Sequence, residues 1–316
     1  MMQANYTTAA DLFGRWRDDV LTAKAPTLYP CGTGELGRIE IGPGLVTLVG
    51  GAPAVGKTSF TMQLAVDALR MTPNLRALVC NVEMSPAVLL DRQLARLSGI
   101  DATTIRYRRF GPEHAERLAP GLDTLDALAE RLAFVRPPFD LENVAASADA
   151  FHADLLVLDY IQRIPPPGDH GDKRGAVDAT MNFLRQFADA GAALIVVSSV
   201  ARSRDNKGRA SYAADTLSLA SYRESAELEY GADDAFILTP EPKAGADVVT
   251  LRHLKSRHGE RRDIALRFDG AVHRFTPASA ATQWTSDAPG PLPAGLQDLG
   301  VCTPPAAGGN VHEGEF

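Results

Sequence analysis

Short apolar runs alternate with helical patterns along the middle of the chain. The apolar runs span residues 45–50, 76–82, 132–136, 154–160 and 193–199. Between them, at 57–70, 85–99 and 177–191, apolar residues recur every three or four positions, which is the spacing of an amphipathic helix. This alternation predicts an α/β fold with a mostly parallel sheet and helices on both of its faces.

After Asp234 the helical patterns stop, and four short apolar runs follow in close succession. They span residues 234–239, 248–254, 263–268 and 271–275. Successive strands without helices between them are typical of antiparallel pairing. We therefore expect C-terminal antiparallel strands that extend the sheet.

The N-terminal residues predict a separate short helix. Residues 8–22 place Leu12, Trp16 and Val20 four positions apart, with charged residues between them. A segment rich in Pro, Gly and Thr follows, which indicates an extended connection. We interpret residues 1–25 as an amphipathic linker helix whose apolar stripe needs a surface to pack against.

The C-terminal residues differ in composition from the rest of the chain. Residues 276–316 are dominated by Ala, Pro, Gly, Ser and Thr, and they contain acidic residues but no Lys or Arg. We expect this acidic tail to be disordered. The main domain then comprises residues 26–275.

The overall composition excludes several classes of protein. The 316 residues are 45% hydrophobic and carry a net charge of −7, which is typical of a globular protein and excludes a histone-like polycation. No run approaches the ~18 apolar residues of a membrane-spanning helix, and the N-terminus lacks the order of a secretory signal. The three cysteines are far apart and indicate neither a disulfide framework nor a zinc site. We therefore expect a cytoplasmic protein with no membrane partner.

The pattern G-x-x-x-x-G-K-[ST] occurs in full between the first apolar run and the helical pattern after it. It comprises Gly51, Ala52, Pro53, Ala54, Val55, Gly56, Lys57 and Thr58, and Ser59 follows directly. Backbone N–H groups of a glycine-rich turn at a helix N-terminus form a cradle for phosphate. Lys57 can then reach the β- and γ-phosphates, and the Thr58 hydroxyl can ligate Mg²⁺. The pattern predicts a nucleotide site.

Two acidic residues follow other predicted strands. Residues 155–159 predict a buried strand that ends in Asp159, an acid suited to hold Mg²⁺. Tyr160 comes next, where many ATPases carry a glutamate that orients water. Glu83 follows the second apolar run and precedes Ser85 and Pro86, which are typical of a helix start. Glu83 is therefore a candidate catalytic base, although acids near helix N-termini are also favoured without any catalytic role.

Several longer motifs resemble those of DnaB-type replicative helicases. Residues 81–85 (N-V-E-M-S), 92–101 and 159–162 (D-Y-I-Q) are similar to the family's S-L-E-M-S, L-A-S-L-S-x-I-D and D-Y-L-Q stretches. Residues 221–233 and 255–259 (K-S-R-H-G) are similar to its D-L-R-E-S-G-x-I-E-Q-D-A-D and K-Q-R-N-G stretches. The order and approximate spacing match over residues 25–275. This part of the chain resembles the RecA-like motor domain of that family.

The resemblance implies roles for the matching residues. Glu83 would activate the attacking water, Asp159 would hold Mg²⁺, and Lys255 with Arg257 would reach the γ-phosphate of a neighbouring subunit. It also implies a RecA-like P-loop ATPase core that uses ATP and Mg²⁺ and forms a homo-oligomer, a hexameric ring, on single-stranded DNA. A solvated basic hairpin is the alternative for Lys255 and Arg257. A loader or replication partner stays unknown.

DNA contacts are expected from two loops that follow predicted strands. Their basic residues are Arg163, Lys173 and Arg174 in the first loop and Arg202, Arg204, Lys207 and Arg209 in the second. Flexible Arg and Lys side chains suit sequence-independent contacts with phosphates. A surface loop without a ligand is the alternative, because one basic loop is not a decisive footprint.

Departures from the family pattern keep other functions open. Ser199 and Ala201 stand where the family has glutamine and asparagine, and Ser221 replaces an aspartate. The glutamine is the family's γ-phosphate sensor, and a serine is too short to reach as far. Full-length members carry a helical N-terminal domain, and of that region we expect this sequence to have only the equivalent of the linker helix, residues 8–22. The main hypothesis is an ATP-dependent DNA helicase or translocase. The alternatives are a RecA-like ATPase that binds DNA or a partner without unwinding, and a small-molecule phosphoryl-transfer enzyme.

Overall fold

The chain divides into two compact units. A computed structural model describes residues 6–168, 170, 173–200, 203–204, 210–211 and 231–278. The described residues of one unit lie within Thr27–Thr282, and those of the other lie within Met1–Pro26. The predicted disordered tail lies outside the described residues from residue 279 onward. Within the part of the chain that the structure describes, every helix is too short or too polar to traverse a lipid bilayer.

The described helices include all of those that the apolar spacing predicts. Helices α1 to α7 are, in chain order, Ala9–Leu21, Lys57–Met71, Pro86–Ser98, Ala102–Arg106, Ala115–Asp126, Leu141–Phe151 and Lys173–Asp189. The sequence pattern predicted α1, α2, α3 and α7. It did not predict α4, α5 or α6. Helix α4 has five residues, and α5 contains Pro120, a residue that disfavours helix interiors.

The described strands form one large mixed sheet and one short two-stranded sheet. Strands β1 to β11 are, in chain order, Val46–Gly51, Ala77–Asn81, Leu132–Phe134, Leu155–Asp159, Ala193–Val197, Ser203–Arg204, Ala210–Ser211, Asp234–Pro240, Val248–Ser256, Ile264–Asp269 and Arg274–Pro277. Nine of them pair in the order β11-β10-β9-β8-β1-β5-β4-β2-β3, and β6 pairs with β7. The section from β8 to β3 is parallel, while β8, β9, β10 and β11 pair antiparallel.

The sheet confirms the predicted fold class, with one detail that the sequence did not reveal. We expected the antiparallel section to begin at residue 234. Strand β8 is antiparallel to β9 but parallel to β1, so it belongs to both sections. Its residues are buried from Asp234 to Thr239.

The central strands are buried on both faces. Every residue of β1, β2, β4 and β5 is buried. On one face Val49 packs in a cluster with Phe60 of α2, and on the other Leu48 packs in a cluster with Leu184 of α7. Helices on both faces explain why these strands read as continuous apolar runs instead of alternating ones.

The parallel strands place their ends on two opposite edges of the sheet. Strands β1, β2 and β4 end at the same edge, and the last residues of β2 and β4, Asn81 and Asp159, are paired neighbours. The start of β1 lies at the other edge, where Thr47 pairs with Asp234 of β8. Polar residues that follow the strands are therefore gathered at the first edge, which we call the carboxyl edge. We call the other the amino edge.

Helix α1 carries an apolar stripe that is exposed. Thr8 caps its N-terminus and forms a capping box with Asp11. The side chains of Leu12, Trp16 and Val20 are 56%, 58% and 57% exposed. These are the residues whose spacing predicted the helix, and the structure adds that the stripe is open to a partner surface.

Candidate active site

The phosphate loop joins β1 to α2 at the carboxyl edge of the sheet. Gly56 directly precedes α2 and has φ 95°, in the left-handed region that favours glycine. A Cβ there would lie 2.9 Å from Cζ of Phe275 and 3.1 Å from Cζ of Phe268, so the loop also needs glycine for space. Ala54 has φ 65° within the same turn. The glycine pattern is thus explained by backbone conformation and by two aromatic rings packed beneath the loop.

Lys57 lies over the loop that precedes it. Its Nζ donates hydrogen bonds to the carbonyl oxygens of Gly51 and Ala52, both at 2.9 Å. Burial lowers the pKa of Lys57, while the nearby charges of Asp159 and Glu83 act in the opposite direction. A partly desolvated ammonium group interacts strongly with an anion, because little water screens it. The position suits a phosphate bound in the loop.

Thr58 and Asp159 meet across the sheet edge. The Thr58 hydroxyl donates to Oδ2 of Asp159 at 2.6 Å, and Nδ2 of Asn81 donates to the same oxygen at 2.8 Å. Burial raises the pKa of Asp159, and the Thr58 hydrogen bond and Lys57 lower it. A hydroxyl and a carboxylate are the hard oxygen ligands that Mg²⁺ prefers. The donor set therefore fits Mg²⁺.

Asn81 connects Asp159 to Glu83, and the sequence reasoning missed it. Its Oδ1 accepts hydrogen bonds from the backbone N–H groups of Glu83 at 3.0 Å and Met84 at 2.7 Å. The same side chain therefore fixes the turn that carries Glu83 and donates to Asp159. A polar residue at the last position of an otherwise apolar buried strand was the available signal.

A cavity of about 570 Å³ brings the predicted residues together. Its lining includes the predicted residues Pro53, Ala54, Gly56, Lys57, Thr58, Ser59, Glu83 and Asp159. Gly51 is the last residue of β1, and Ala52 and Val55 belong to the same turn. The cavity is large enough for a bound ligand, within the usual range of about 300–1,000 Å³.

Further residues line the cavity. Tyr160 and Ser199 were noted in the sequence as departures from related ATPases, whereas Arg92, Phe268 and His273 were not singled out. Burial lowers the pKa of Arg92, with Asp159 opposing that effect. Arg92 stands three positions after the buried Leu89 in α3, and a cation on the inner face of a helix was the signal that could have identified it.

His273 brings the antiparallel strands into contact with the phosphate loop. Its Nδ1 lies 3.0 Å from the hydroxyl of Ser59. Burial and the charge of Arg92 lower the pKa of His273. Because His273 lies in the turn between β10 and β11, the contact joins two segments that are 214 residues apart in the chain.

Lys255 and Arg257 lie at the amino edge of the sheet. Lys255 in β9 pairs with Ala235 in β8, and the backbone N–H of Arg257 donates to the carbonyl oxygen of Asp233 at 2.9 Å. Neither is among the described residues that line the cavity. The six residues of β1 separate the two edges, a distance of roughly 20 Å at about 3.3 Å per residue. The structure therefore keeps these two residues apart from the phosphate loop of their own chain.

The expected DNA loops are described in part. Arg163 is exposed in a 3₁₀ turn, Ile161–Arg163, directly after β4. Lys173 and Arg174 begin α7, and Arg204 lies in the short strand β6. Residues Arg202, Lys207 and Arg209 lie outside the described residues, as do Ala201 and Ser221.

Gln162 links the ends of β4 and β5. Its Nε2 donates to the hydroxyl of Ser198 at 2.7 Å, and its Oε1 accepts from the backbone N–H of Ser199 at 3.2 Å. Ser199 is at the same time a cavity residue. Gln162, the residue before Arg163, is therefore hydrogen-bonded to a residue of the cavity wall. The bond is made to the backbone of Ser199, so it does not depend on the length of the serine side chain.

Replacing Lys57 tests whether the loop binds phosphate. We expect Lys57→Ala to lower nucleotide affinity by about 10- to 100-fold, because a charge-assisted hydrogen bond contributes ~1.5–3 kcal/mol. Titration with a fluorescent ATP analogue at low salt measures this. Lys243→Ala, at an exposed position between β8 and β9, is the control. Unchanged affinity of Lys57→Ala with an unchanged melting temperature would contradict the assignment.

The chain is similar to known proteins over most of its length. It is 23% identical over 262 residues to the replicative DNA helicase DnaB of Geobacillus stearothermophilus, covering 79% of this chain and 56% of that protein. It is 19% identical over 253 residues to a probable plasmid replicative DNA helicase of Chlamydia trachomatis, covering 75% of this chain and 52% of that protein. The chain thus spans about half the length of these curated relatives.

Solved structures and a family description match as well. The fold is similar to that of a solved ATPase domain, with a TM-score of 0.75 and 18% identity over 87% of this chain and 100% of that one. It is also similar to a DnaB-like replicative helicase studied with primase, with a TM-score of 0.71 and 17% identity over 86% of this chain and 67% of that one. Residues 40–277 match the DnaB-like helicase C terminal domain. The chain therefore belongs to the DnaB-like helicase C-terminal domain family.

Proposed function

We propose that this chain is an ATP-hydrolysing motor that acts in the cytoplasm on single-stranded DNA as a homo-oligomeric ring. The observation that carries the proposal is the arrangement of Lys57, Thr58, Asp159 and Glu83 around one cavity at the carboxyl edge. Family membership supports ATP-dependent helicase activity at the level of the family. The roles of individual residues of this chain are part of the proposal.

ATP binds in the phosphate loop in this proposal. The backbone of residues 51–59 and the ammonium of Lys57 hold its phosphates. Thr58 and Asp159 would hold Mg²⁺, which supplies charge neutralisation at the β- and γ-phosphates. Glu83 accepts a proton from the attacking water, and Asn81 orients Glu83 by fixing its backbone N–H.

The active site is completed by a neighbouring subunit. Lys255 and Arg257 lie at the edge of the sheet opposite their own phosphate loop, so a contact with their own γ-phosphate is excluded by distance. In a ring with head-to-tail contacts, the amino edge of one subunit can face the carboxyl edge of the next. An arginine supplied in this way stabilises the charge that develops in the transition state.

Helix α1 supports an assembly of several copies. Its exposed stripe of Leu12, Trp16 and Val20 needs a surface that excludes water. We propose that this stripe docks on a neighbouring subunit, and that the ring is a hexamer as the family relationship suggests. The residues between α1 and β1 would then connect a helix docked on the neighbouring subunit to the sheet of its own subunit.

DNA passes along the two basic loops in this proposal. Arg163, Lys173 and Arg174 follow β4, and Arg202, Arg204, Lys207 and Arg209 follow β5. Gln162 precedes the first loop and is hydrogen-bonded to Ser198 and to the backbone of Ser199 at the cavity wall. This contact offers a route from the nucleotide to the DNA loops.

A second candidate is an ATPase that binds DNA or a protein partner without unwinding. The observation that favours it is Ser199, which lines the cavity where the family has a longer glutamine. A serine hydroxyl reaches less far toward a γ-phosphate. DNA-stimulated ATP hydrolysis without strand separation would favour this second candidate over the first.

Mixed rings test the shared active site. We expect Glu83→Gln to lower ATP hydrolysis by about 10²- to 10⁴-fold, because the amide cannot accept the proton. Arg257→Ala should lower it by about 10³-fold or more. On mixing, an intact Glu83 from one variant meets an intact Arg257 from the other, and activity should return in steady-state assays.

The control for this experiment is another exposed arginine of the antiparallel section. Arg267 is paired with Asp247, and its side chain is 54% exposed, so Arg267→Ala should hydrolyse ATP normally. A failure to regain activity in rings that demonstrably exchange subunits would contradict a shared site. It would favour an ATPase that acts as a monomer.

Charge neutralisation tests the DNA loop. We expect replacement of Arg202, Arg204, Lys207 and Arg209 by glutamine to weaken single-stranded DNA binding equally for all sequences. The slope of log affinity against log salt should flatten by ~0.7 for each phosphate that the loop no longer binds. Fluorescence anisotropy over a salt series measures both effects.

A matched variant removes the same charge elsewhere on the surface. It replaces Arg38, Arg70, Lys243 and Arg267, which are exposed, by glutamine. The parent salt slope should persist in this control. If the loop variant also keeps the parent slope, the second loop does not contact DNA.

A further inference from the structure

A buried carboxylate holds Arg257 at the amino edge. Oδ1 of Asp233 forms an ion pair with Nη1 of Arg257 at 2.7 Å. The Asp233 side chain is 3% exposed, whereas that of Arg257 is 41% exposed. The backbone of Asp233 also accepts a hydrogen bond from the backbone N–H of Arg257 at 2.9 Å. Asp233 thus holds Arg257 through both its main chain and its side chain.

The second oxygen of Asp233 is anchored in the fold. Oδ2 accepts from the backbone N–H of Val46 at 2.8 Å and from Nη1 of Arg185 at 2.7 Å. Val46 begins β1, and Arg185 belongs to α7. The carboxylate therefore has one oxygen held by the sheet and a helix while the other holds Arg257. A group fixed in this way restricts where the guanidinium can lie.

We propose that Asp233 is a positioning residue that sets the Arg257 guanidinium for the active site of the neighbouring subunit. The inference rests on the proposed function, in which Arg257 acts across the subunit interface. An arginine on a partly exposed segment samples many rotamers, and most of them point away from a neighbour's phosphate. The fixed carboxylate reduces that freedom before the subunits meet.

The ion pair is compatible with phosphate contact. A guanidinium carries five N–H donors in a rigid plane, and the contact with Asp233 is made through Nη1. Asp233 can therefore stay bound while the same guanidinium reaches another acceptor. Asp233 contributes by orienting the guanidinium of Arg257. A small misplacement of a group that contacts the transition state can lower the rate by about 100-fold.

Asp233→Asn separates charge from shape. The amide has nearly the same size, but it lacks the negative charge and presents one donor group where the carboxylate has two acceptors. We expect kcat for ATP hydrolysis to fall by about 10- to 100-fold. KM for ATP should change less than about threefold, because the phosphate loop of the same subunit sets it. Nucleotide binding and the melting curve of Asp233→Asn show whether this variant is folded.

Asp234→Asn is the matched control. Asp234 is the next residue, is 5% exposed, and pairs with His253 at 2.9 Å instead of with an arginine. Its replacement removes a buried carboxylate from the same segment without touching Arg257. We expect kcat to stay within about twofold of that of the parent, a small change for a group outside the active site.

Mixed rings decide whether Asp233 acts through Arg257. An Asp233→Asn subunit has an intact Glu83 and a misplaced Arg257, so mixing with Glu83→Gln should restore hydrolysis. Mixing with Arg257→Ala should not, because every interface then lacks a correctly placed arginine. The double variant Asp233→Asn with Arg257→Ala should be no slower than Arg257→Ala alone.

Other outcomes overturn the inference or the function on which it rests. If Asp233→Asn hydrolyses ATP like the parent while Arg257→Ala is slow, Asp233 does not position Arg257. The same conclusion follows if mixing with Glu83→Gln and mixing with Arg257→Ala both restore the hydrolysis of Asp233→Asn, or if neither does. If Arg257→Ala itself hydrolyses ATP normally, the proposed function fails. Should Asp233→Asn not fold, Asp233→Asn with Arg185→Gln avoids leaving Arg185 without its buried carboxylate partner, and the same complementation pattern is expected.

Discussion

A carboxylate buried at the end of a parallel strand is unfavourable unless donors or cations surround it, and the candidate active site is built around one such group. Asp159 accepts hydrogen bonds from Thr58 and Asn81, while Lys57 lies close enough to oppose the effect of burial on its pKa. The three partners come from the phosphate loop helix and from the neighbouring strand. This carboxylate is satisfied only because the parallel pairing of the sheet brings the ends of β1, β2 and β4 to one edge.

The same sheet separates the two halves of the proposed chemistry. Phosphate binding and the candidate base Glu83 lie at the carboxyl edge, while Arg257 and its partner Asp233 lie at the amino edge. Strands buried on both faces form a rigid body that cannot fold one edge onto the other. In the proposed function, assembly of several copies unites them, and the exposed stripe of α1 fits that requirement.

Local patterns predicted the parts of the fold that depend on neighbouring residues. Continuous apolar runs identified the central strands, and the phosphate loop was recognised because Gly56, Lys57 and Thr58 are adjacent. Contacts between distant segments were beyond that reasoning. Asn81 meets Asp159 across 78 residues, and Arg185 meets Asp233 across 48, so neither pairing has a local signature. Strand β8 was interpreted as purely antiparallel because its parallel partner β1 lies far away in the chain.

One ring that binds nucleotide and single-stranded DNA together is the assembly on which the proposed function depends. Native mass spectrometry of the full chain with a non-hydrolysable ATP analogue, Mg²⁺ and a short single strand tests it most directly. We expect a hexamer that carries bound nucleotide and one DNA strand, and Lys57→Ala should lose the nucleotide. A monomer that binds the analogue and ignores DNA at every concentration tested would contradict the proposed function.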